Sequence, residues 1–350
     1  MKKFIYKYLL IVLCGLLPIV QSAHAQREEV RKDFAKTYKV STSEQLRLSN
    51  RYGKIHINTN SGNEVKVEIE MLVRARSKAR AQEILDKINI EHKKEGGRIN
   101  FETRLNSITI SGSEKVEINY NVAMPSRNPL EVINKFGDIY LGDFSGKLQL
   151  ECQYGSIKTE RLTGEDKILS IKYGDLNAAS IEKGSVYVAY GNMNVDKVGD
   201  VSLEGPYSTL KVNEGNKINL IIKYGNFRAN NVNYLKGESA YSNIDIRALN
   251  DFLKMDIKYN GKFDIEQIAK GFENIEVNTS YSSCNLSFVE NTGFNFKINL
   301  RYGNFRFDSD AADLSYREIN GSNAIYEGKY NKGGKGKVVV NGKYGNVRFE

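Results

Sequence analysis

A short phrase built on Lys-Tyr-Gly-Asn returns along most of this sequence and strongly limits how the chain can fold. Residues 221–230 read IIKYGNFRAN, and near copies stand at 170–179 (SIKYGDLNAA) and 299–308 (NLRYGNFRFD). Self-similarity at a period of about 17–22 residues is the signature of a repeat array. The step from Tyr302 to Tyr344 is longer, and Tyr326 within it is a candidate degenerate copy. The repeat aromatics are Phe136, Tyr154, Tyr173, Tyr190, Tyr207, Tyr224, Tyr241, Tyr259, Tyr281, Tyr302 and Tyr344, with an early copy at Tyr52.

Apolar residues alternate with polar ones around each repeat aromatic. In the copy at Tyr224 they stand four and two residues before it (Leu220 and Ile222) and three after it (Phe227). This period of two predicts a strand with one buried face, and the Gly-Asn pair predicts a two-residue corner. We expect the rings to be buried inside the coils or packed at the corners rather than to form an aromatic strip for sugars.

Two geometries fit such a unit. A Gly-Asn pair between alternating strands is a hairpin signal, and a meander of hairpins could close as an outer-membrane β-barrel. Alternatively, each unit makes one coil of a β-helix, and equivalent residues stack ~4.8 Å apart. Stacking is favoured because it explains why identical residues recur at each offset, and because strands of about five to seven residues are short for crossing a membrane. The predicted fold is all-β, a single-stranded β-helix (β-solenoid) of about 11–12 coils over residues 131–350.

The first 25 residues have the features of a secretory signal peptide. Three lysines precede an apolar run, and Ala-His-Ala at 23–25 offers an A-x-A cleavage site. We therefore expect an exported protein, either periplasmic, outer-membrane-associated or at the cell surface, with no transmembrane helix after cleavage. Loss of the three lysines lowers the formal net charge from +9 to +6. That charge permits an anionic glycan or components of the envelope or a host surface as partners, whereas export argues against nucleic acid.

Residues 26–130 differ from the later repeats and are predicted to cap the solenoid. A helical period over about 77–90 places Ala81, Ile84 and Leu85 on one face, with Ser77 as the candidate N-cap. A solenoid ends in an open sheet edge and an exposed core, which need cover. No similar cover follows Tyr344, so self-association through the C-terminal end of the solenoid is a further expectation. Whether Cys152 and Cys284 pair stays open.

Basic residues directly precede the repeat aromatic in many copies, and stacking would align them on the outer face. Such a strip could bind an acidic polysaccharide, or it could serve only solubility and protection of the sheet edges. Neutral residues interrupt it at 153, 189, 206, 240 and 280. The strip consists of Arg51, Lys135, Lys172, Lys223, Lys258, Arg301 and Lys343.

Candidates for catalytic chemistry are few. Asp308, Asp310 and Asp313 form the densest acidic group, but glycoside hydrolysis needs two carboxylates across a cleft and calcium needs several converging oxygens. A solvated turn is the preferred interpretation. His56 and His92 stand far apart, outside any metal-ligand or nucleophile pattern. We expect no catalytic residue, no metal site and no cofactor.

The order of motifs resembles that of a known family. The lead-in LRLSNRYGKIHI, a short helix, NKFGDIYLGDFSG and serial Y-G-[ND]-hydrophobic repeats resemble the adhesin-type family of exported proteins of unknown function, related to auto-transporter head domains of bacterial envelopes. The resemblance spans essentially the whole chain after the signal peptide, and it implies a right-handed β-helix without catalytic residues. The expected function is a non-enzymatic envelope adhesin or scaffold. A polysaccharide-active β-helix lyase or hydrolase and an outer-membrane barrel are the alternatives.

Overall fold

The computed structural model describes residues 27–107 and 109–350, so the predicted signal peptide lies outside the described residues. The described chain is mostly β-strand, with one helix, α1 (Lys78–Leu85). This helix is shorter than the predicted range, since Asp86 forms its C-cap and Ile88 already begins a strand. The strands are β1 (Glu28–Lys39), β2 (Gln45–Arg51), β3 (Ile55–Asn60), β4 (Glu64–Ala75), β5 (Ile88–Glu95), β6 (Arg98–Leu105), β7 (Lys115–Pro125), β8 (Leu130–Lys135), β9 (Ile139–Leu141), β10 (Leu148–Gln153), β11 (Ile157–Leu162), β12 (Lys167–Lys172), β13 (Asp175–Ala189), β14 (Asn192–Pro206), β15 (Thr209–Lys223), β16 (Asn226–Ala240), β17 (Asn243–Lys258), β18 (Lys262–Ile268), β19 (Asn274–Ser280), β20 (Cys284–Phe288), β21 (Phe294–Arg301), β22 (Phe305–Arg306), β23 (Ala312–Asn320), β24 (Asn323–Tyr330), β25 (Gly336–Lys343) and β26 (Val347–Phe349).

Consecutive copies of the repeat pair as parallel strands, one repeat apart. Between β14 and β15, for example, Leu203 lies opposite Leu220. Parallel pairing of this kind continues from β8 to β20. The predicted solenoid-like stacking is therefore confirmed, and the hairpin meander is wrong for these repeats. Equivalent side chains stack as predicted, and asparagines in neighbouring coils are hydrogen-bonded, since Asn243 Nδ2 donates to Asn226 Oδ1 at 2.9 Å.

Each coil contributes to two layers of strands. Layer I contains the strand segments that end at a repeat aromatic, and layer II contains those that begin after it. Strand β17, the longest, contributes to both layers: its residues Asn243–Leu249 pair with β18, whereas Phe252–Lys258 pair with β19. The hydrophobic core lies between the layers.

Buried side chains follow the predicted offsets. Leu220 and Ile222 of layer I and Phe227 of layer II are all fully buried. Each such side chain stabilises the fold by about 1.5–3 kcal/mol relative to an exposed one. Cys152 and Cys284 also occupy core positions, and both are free thiols. The structure therefore contains no disulfide between them.

The bend between the two layers falls at the repeat aromatic and the residue after it. All the repeat aromatics have φ between 52° and 63°, a left-handed conformation that costs a non-glycine residue roughly 1–2 kcal/mol. Gly225, which follows Tyr224, lies so near the previous coil that a Cβ would stand 2.2 Å from the carbonyl oxygen of Ser208. Asn226 already belongs to β16. The turn thus lies one residue earlier than the predicted Gly-Asn corner.

At the N-terminal end the first coil stacks directly on the coil that contains Phe136. Strand β2 pairs with β8 and β3 with β9, although residues 61–129 separate them in sequence. The intervening strands extend both layers: β6 and β5 continue layer I, and β7, β4 and β1 continue layer II. Helix α1 connects the two layers at this end, and it buries Ala81, Ile84 and Leu85 in the core. The helix thus adds three apolar side chains to the core at the N-terminal end.

The C-terminal end does not follow sequence order. Strand β25 lies between β19 and β21, pairing in parallel with both, and β26 lies likewise between β20 and β22. Beyond β21 the antiparallel hairpin β24–β23 completes layer I. The coil of Tyr344 is therefore internal, contrary to the expectation that it ends the solenoid. Tyr326 is a buried residue of β24 rather than a degenerate repeat aromatic.

Candidate binding surface

The repeat aromatics form one continuous stack, which we call the aromatic ladder. Neighbouring ring centroids are 4.7–5.3 Å apart and the rings are within 12° of parallel. The tyrosines from Tyr154 onward are 47–51% exposed. The order along the stack is Tyr52, Phe136, Tyr154, Tyr173, Tyr190, Tyr207, Tyr224, Tyr241, Tyr259, Tyr281, Tyr344 and Tyr302.

Of the two expected places for these rings, the interior of the coils is wrong, and packing at the corners is what the structure shows. The left-handed bend turns each ring out of the core, where it packs against its neighbours in the adjacent coils. Because a ring inside the ladder is covered on both faces, the faces are not open to stack on sugars, as an aromatic strip would require. The ladder presents ring edges and hydroxyl groups to the solvent instead.

The residues directly before the aromatics form a row on the outer face of layer I, which we call row 1. The strand registers align them from β2 to β21, so the predicted basic strip exists as a line of neighbouring positions. Neutral side chains interrupt it at the predicted places. Arg301 lies next to Lys343 rather than beyond a further coil. In spatial order row 1 contains Arg51, Lys135, Gln153, Lys172, Ala189, Pro206, Lys223, Ala240, Lys258, Ser280, Lys343 and Arg301.

A second row runs beside row 1, two residues earlier in each strand, and we call it row 2; its side chains are mostly polar, with Ile133 and Ile221 as apolar members. At its C-terminal end the amides form a hydrogen-bonded chain: Asn299 donates to Asn341 at 2.8 Å and Asn341 to Asn278 at 2.9 Å. Asn278 in turn donates to the carboxylate of Asp256 at 2.8 Å. Glu238 continues the row in the next strand. Sequence reasoning missed this row, although the asparagines share one offset from their aromatics.

Rows 1 and 2 line a groove of about 1160 Å³ on the outer face of layer I. It crosses consecutive paired strands from β15 through β16, β17, β19, β25, β21 and β24 to β23. At ~4.8 Å per strand the groove is about 30 Å long, and it runs parallel to the aromatic ladder. Tyr224 and Tyr241 of the ladder also line it. Four of the predicted strip residues contribute to the groove, namely Lys223, Lys258, Lys343 and Arg301.

The acidic groups do not form a comparable site. Asp308 accepts a hydrogen bond from the backbone N–H of Asp310 at 2.9 Å in an exposed turn, as predicted. Asp245, Asp264 and Glu266 cluster on layer II, but Lys262 lies between the first two, with Nζ 3.1 Å and 3.3 Å from their carboxylates. A lysine in this place supplies the positive charge that a cation would bring.

The histidines and cysteines have structural surroundings. His92 Nδ1 lies 2.9 Å from the hydroxyl oxygen of Tyr38, and its ring packs against Phe101. His56 lies in β3, next to Tyr140 and far in the fold from the groove. Burial raises the pKa of the Cys152 thiol to about 12, and it also raises the pKa of Cys284. Both thiols are therefore protonated, and unreactive, at neutral pH.

Comparison with known proteins finds similar solved structures but no family model. No family model and no curated protein matches the chain. One similar solved structure is described as a candidate cell adhesion protein from Clostridium sporogenes; the identity is 13%, the TM-score is 0.22, and the match covers 91% of this chain and 99% of that one. Another is described as a candidate adhesin from Parabacteroides distasonis; the identity is 10%, the TM-score is 0.29, and the match covers 91% of this chain and 97% of that one. A candidate lipid-binding protein from Parabacteroides distasonis is also similar, with 10% identity, a TM-score of 0.26, and a match that covers 91% of this chain and 96% of that one. The adhesin names agree with the family that the sequence resembles, but scores this low identify no function. No helix within residues 27–107 and 109–350 is long and apolar enough to span a membrane.

Proposed function

We propose that this protein is a non-enzymatic, exported component of a bacterial cell envelope that acts as an adhesin or scaffold through the outer face of its layer I. In this proposal residues 1–25 direct export, residues 26–130 form the cap, and residues 131–350 form a right-handed β-solenoid. The ligand is an anionic glycan of the envelope or of a host surface. Nucleic acid is not a partner in this scheme.

The observation that carries the proposal is the repetition of the same outward positions in coil after coil. Rows 1 and 2 repeat the same outward positions at a spacing of ~4.8 Å, which suits a long polymer better than a small substrate. A polymer can contact several coils at once, and linked weak contacts sum to a higher overall affinity. Catalysis would instead need a few unlike groups that converge on one point.

Charge supports an acidic glycan as the polymer. Row 1 carries Lys223, Lys258, Lys343 and Arg301 within the groove. Exposed cations attract anions over about a Debye length, ~8 Å at physiological salt, so binding should weaken as ionic strength rises. The amides of row 2 can exchange their mutual hydrogen bonds for bonds to sugar hydroxyls.

Two measurements test the proposal. Fractionation with protease shaving of intact cells should find the chain in the envelope and accessible from outside, whereas complete protection would exclude adhesion to external surfaces. The purified protein should bind isolated envelope or host glycans without changing their length. Release of defined oligosaccharides, abolished by Asp308→Ala or Asp310→Ala, would overturn the proposal in favour of a glycan-active enzyme.

A further inference from the structure

Three of the four cations of row 1 within the groove follow a period of two strands. Lys223, Lys258 and Lys343 stand on β15, β17 and β25, and the strands between them carry Ala240 and Ser280 at the same position. Successive lysines are therefore about 9.6 Å apart along the groove. Because β25 is inserted between β19 and β21, the cation that follows Ser280 in this series is Lys343 rather than Arg301.

One sugar of an extended β-linked polysaccharide spans about the distance between two neighbouring strands. A period of two strands thus corresponds to a disaccharide. A carboxylate on every second sugar would meet a lysine each time, while the uncharged sugars between them would lie over the small side chains of Ala240 and Ser280. Carboxylates and ammonium groups form charge-assisted hydrogen bonds, which are stronger than those between neutral partners.

Row 2 helps the groove to distinguish polysaccharides that differ in the spacing of their carboxylates. Asp256 and Glu238 lie two residues before Lys258 and Ala240 in the same strands, so the groove also contains negative charge. A polymer charged on every sugar would place a carboxylate over β16, near Glu238, where row 1 offers only Ala240 and nothing offsets the repulsion between like charges. The uncharged sugars of an alternating polymer can instead donate hydroxyls to Glu238 on β16 and to the amide oxygen of Asn278 on β19.

We propose that the groove binds a linear acidic polysaccharide with one carboxylate on every second sugar, lying parallel to the aromatic ladder. This inference rests on the proposed function, which it narrows to one class of ligand and one part of row 1. From Lys223 to Lys343 the alternation covers five strands, and the minimal ligand is a pentasaccharide with carboxylates on its first, third and fifth sugars. Arg301, directly beside Lys343, marks the place where the alternation stops.

The test uses three polymers of different charge spacing. Hyaluronan oligosaccharides carry a carboxylate on every second sugar, oligogalacturonates on every sugar, and chito-oligosaccharides on none. Isothermal titration calorimetry on the purified protein should show binding of hyaluronan oligosaccharides that strengthens with length up to about six sugars and then levels off. Oligogalacturonates should bind at least about tenfold more weakly, and chito-oligosaccharides should not bind detectably.

Matched lysine variants separate the groove from the rest of row 1. Lys258→Ala should weaken binding of hyaluronan hexasaccharide about tenfold, the size expected for one charge-assisted hydrogen bond. Lys172→Ala removes a cation of the same row outside the groove and should leave the affinity unchanged. If both variants weaken binding equally, or if affinity follows total charge rather than its spacing, the inference falls while the proposed function stands.

A variant with altered spacing gives a second, independent readout. Ala240→Lys combined with Ser280→Lys places a cation on every strand, and it should reverse the preference towards oligogalacturonates. An unchanged preference would overturn the inference. If the wild-type protein bound no acidic polysaccharide, the proposal of a glycan ligand would be wrong. Exposure at the cell surface in the shaving experiment would still support an adhesin or scaffold with a different partner.

Discussion

The ring of Tyr344 stacks on that of Tyr281 with the centroids 4.7 Å apart, although the whole coil of Tyr302 lies between them in sequence. Tyr302 stacks on the other face of Tyr344 at 4.8 Å. The last part of the chain therefore returns into the solenoid as an internal coil, and the ladder, the core and row 1 are all continuous because of it.

Removal of residues 331–350 should open a gap in both layers. Strands β19 and β21 would each lose a parallel partner, and buried side chains such as Val340 and Val347 would leave the core. We expect a large loss of thermal stability, or aggregation through the unpaired strands. A synthetic peptide of residues 331–350 added to the shortened chain should restore stability. A peptide in which Val340 is replaced by Asp should not, and equal rescue by both would contradict the insertion.

The close approach of coils at the bend predicts a sharp effect at Gly225. Gly225→Ala would bring a Cβ to 2.2 Å from the carbonyl oxygen of Ser208, which is backbone and cannot move aside cheaply. We expect a loss of about 3 kcal/mol or more in the free energy of unfolding, measured by denaturant titration. Gly112→Ala is the matched control, since nothing lies within 4 Å of its added Cβ. Similar effects of the two changes would argue against tight stacking at the bend.

The aromatic ladder predicts which residue types its positions tolerate. Tyr224→Phe keeps the stacked ring, as Phe136 does naturally, and should change the free energy of unfolding little. Tyr224→Val loses two stacking contacts and places a β-branched residue at φ 56°, so it should cost about 2–4 kcal/mol. Equal stability of the Phe and Val variants would mean that stacking and backbone conformation contribute nothing there.

The contact between helix α1 and the loop before β7 predicts a loss of stability in acid. Arg80 Nε donates to Glu114 Oε1 at 2.7 Å, and the backbone N–H of Ser111 donates to the same carboxylate at 2.8 Å. These bonds, that with Arg80 first, lower the pKa of Glu114 to about 2. Because the folded-state pKa is below the ordinary value, this stabilisation is complete above about pH 4.5 and is lost as the pH falls towards 2.

Glu114→Gln isolates that contribution. At pH 7 the variant should melt several degrees below the wild type, and the difference should shrink as the pH is lowered from 4.5 to 2. Glu83→Gln alters an exposed partner of the same arginine and serves as the control with a smaller expected effect. A difference in melting temperature that stays constant over this pH range would exclude the proposed titration.

Burial of the two cysteines predicts their chemical behaviour. With its pKa raised to about 12, Cys152 should resist iodoacetamide at pH 8 in the folded protein, and Cys284, which is fully buried, should do the same. Both should react fully in denaturant. Peptide mapping by mass spectrometry would detect labelling at each position, and rapid modification of either one in the native state would contradict its burial.

The core could be predicted from the sequence because it depends on local alternation. Leu220, Ile222 and Phe227 are buried where the period of two places them. The exposure of Tyr224 could not be predicted in this way, since its position continues the same alternation and only the left-handed backbone turns it outward. Nor does the sequence say whether the coil of Tyr302 or that of Tyr344 stacks on Tyr281. That choice decides whether Arg301 or Lys343 lies next to Ser280 in the groove, so the sequence predicts row 1 as a strip but not the order of its last two members.

The inserted strand β25 also determines the order in which the C-terminal coils can fold. Coils up to β20 can add one after another as the chain is synthesised, each on a finished neighbour. The next coil, β21 with β22, has no correct neighbour until β25 and β26 have emerged, and it must not occupy the open edge of β19 in the meantime. The hairpin of β23 and β24 pairs with β21 and can hold it apart as a separate antiparallel unit. Folding at this end is thus a final closure around the last strands, and a prematurely terminated chain would lack the element that joins the two parts.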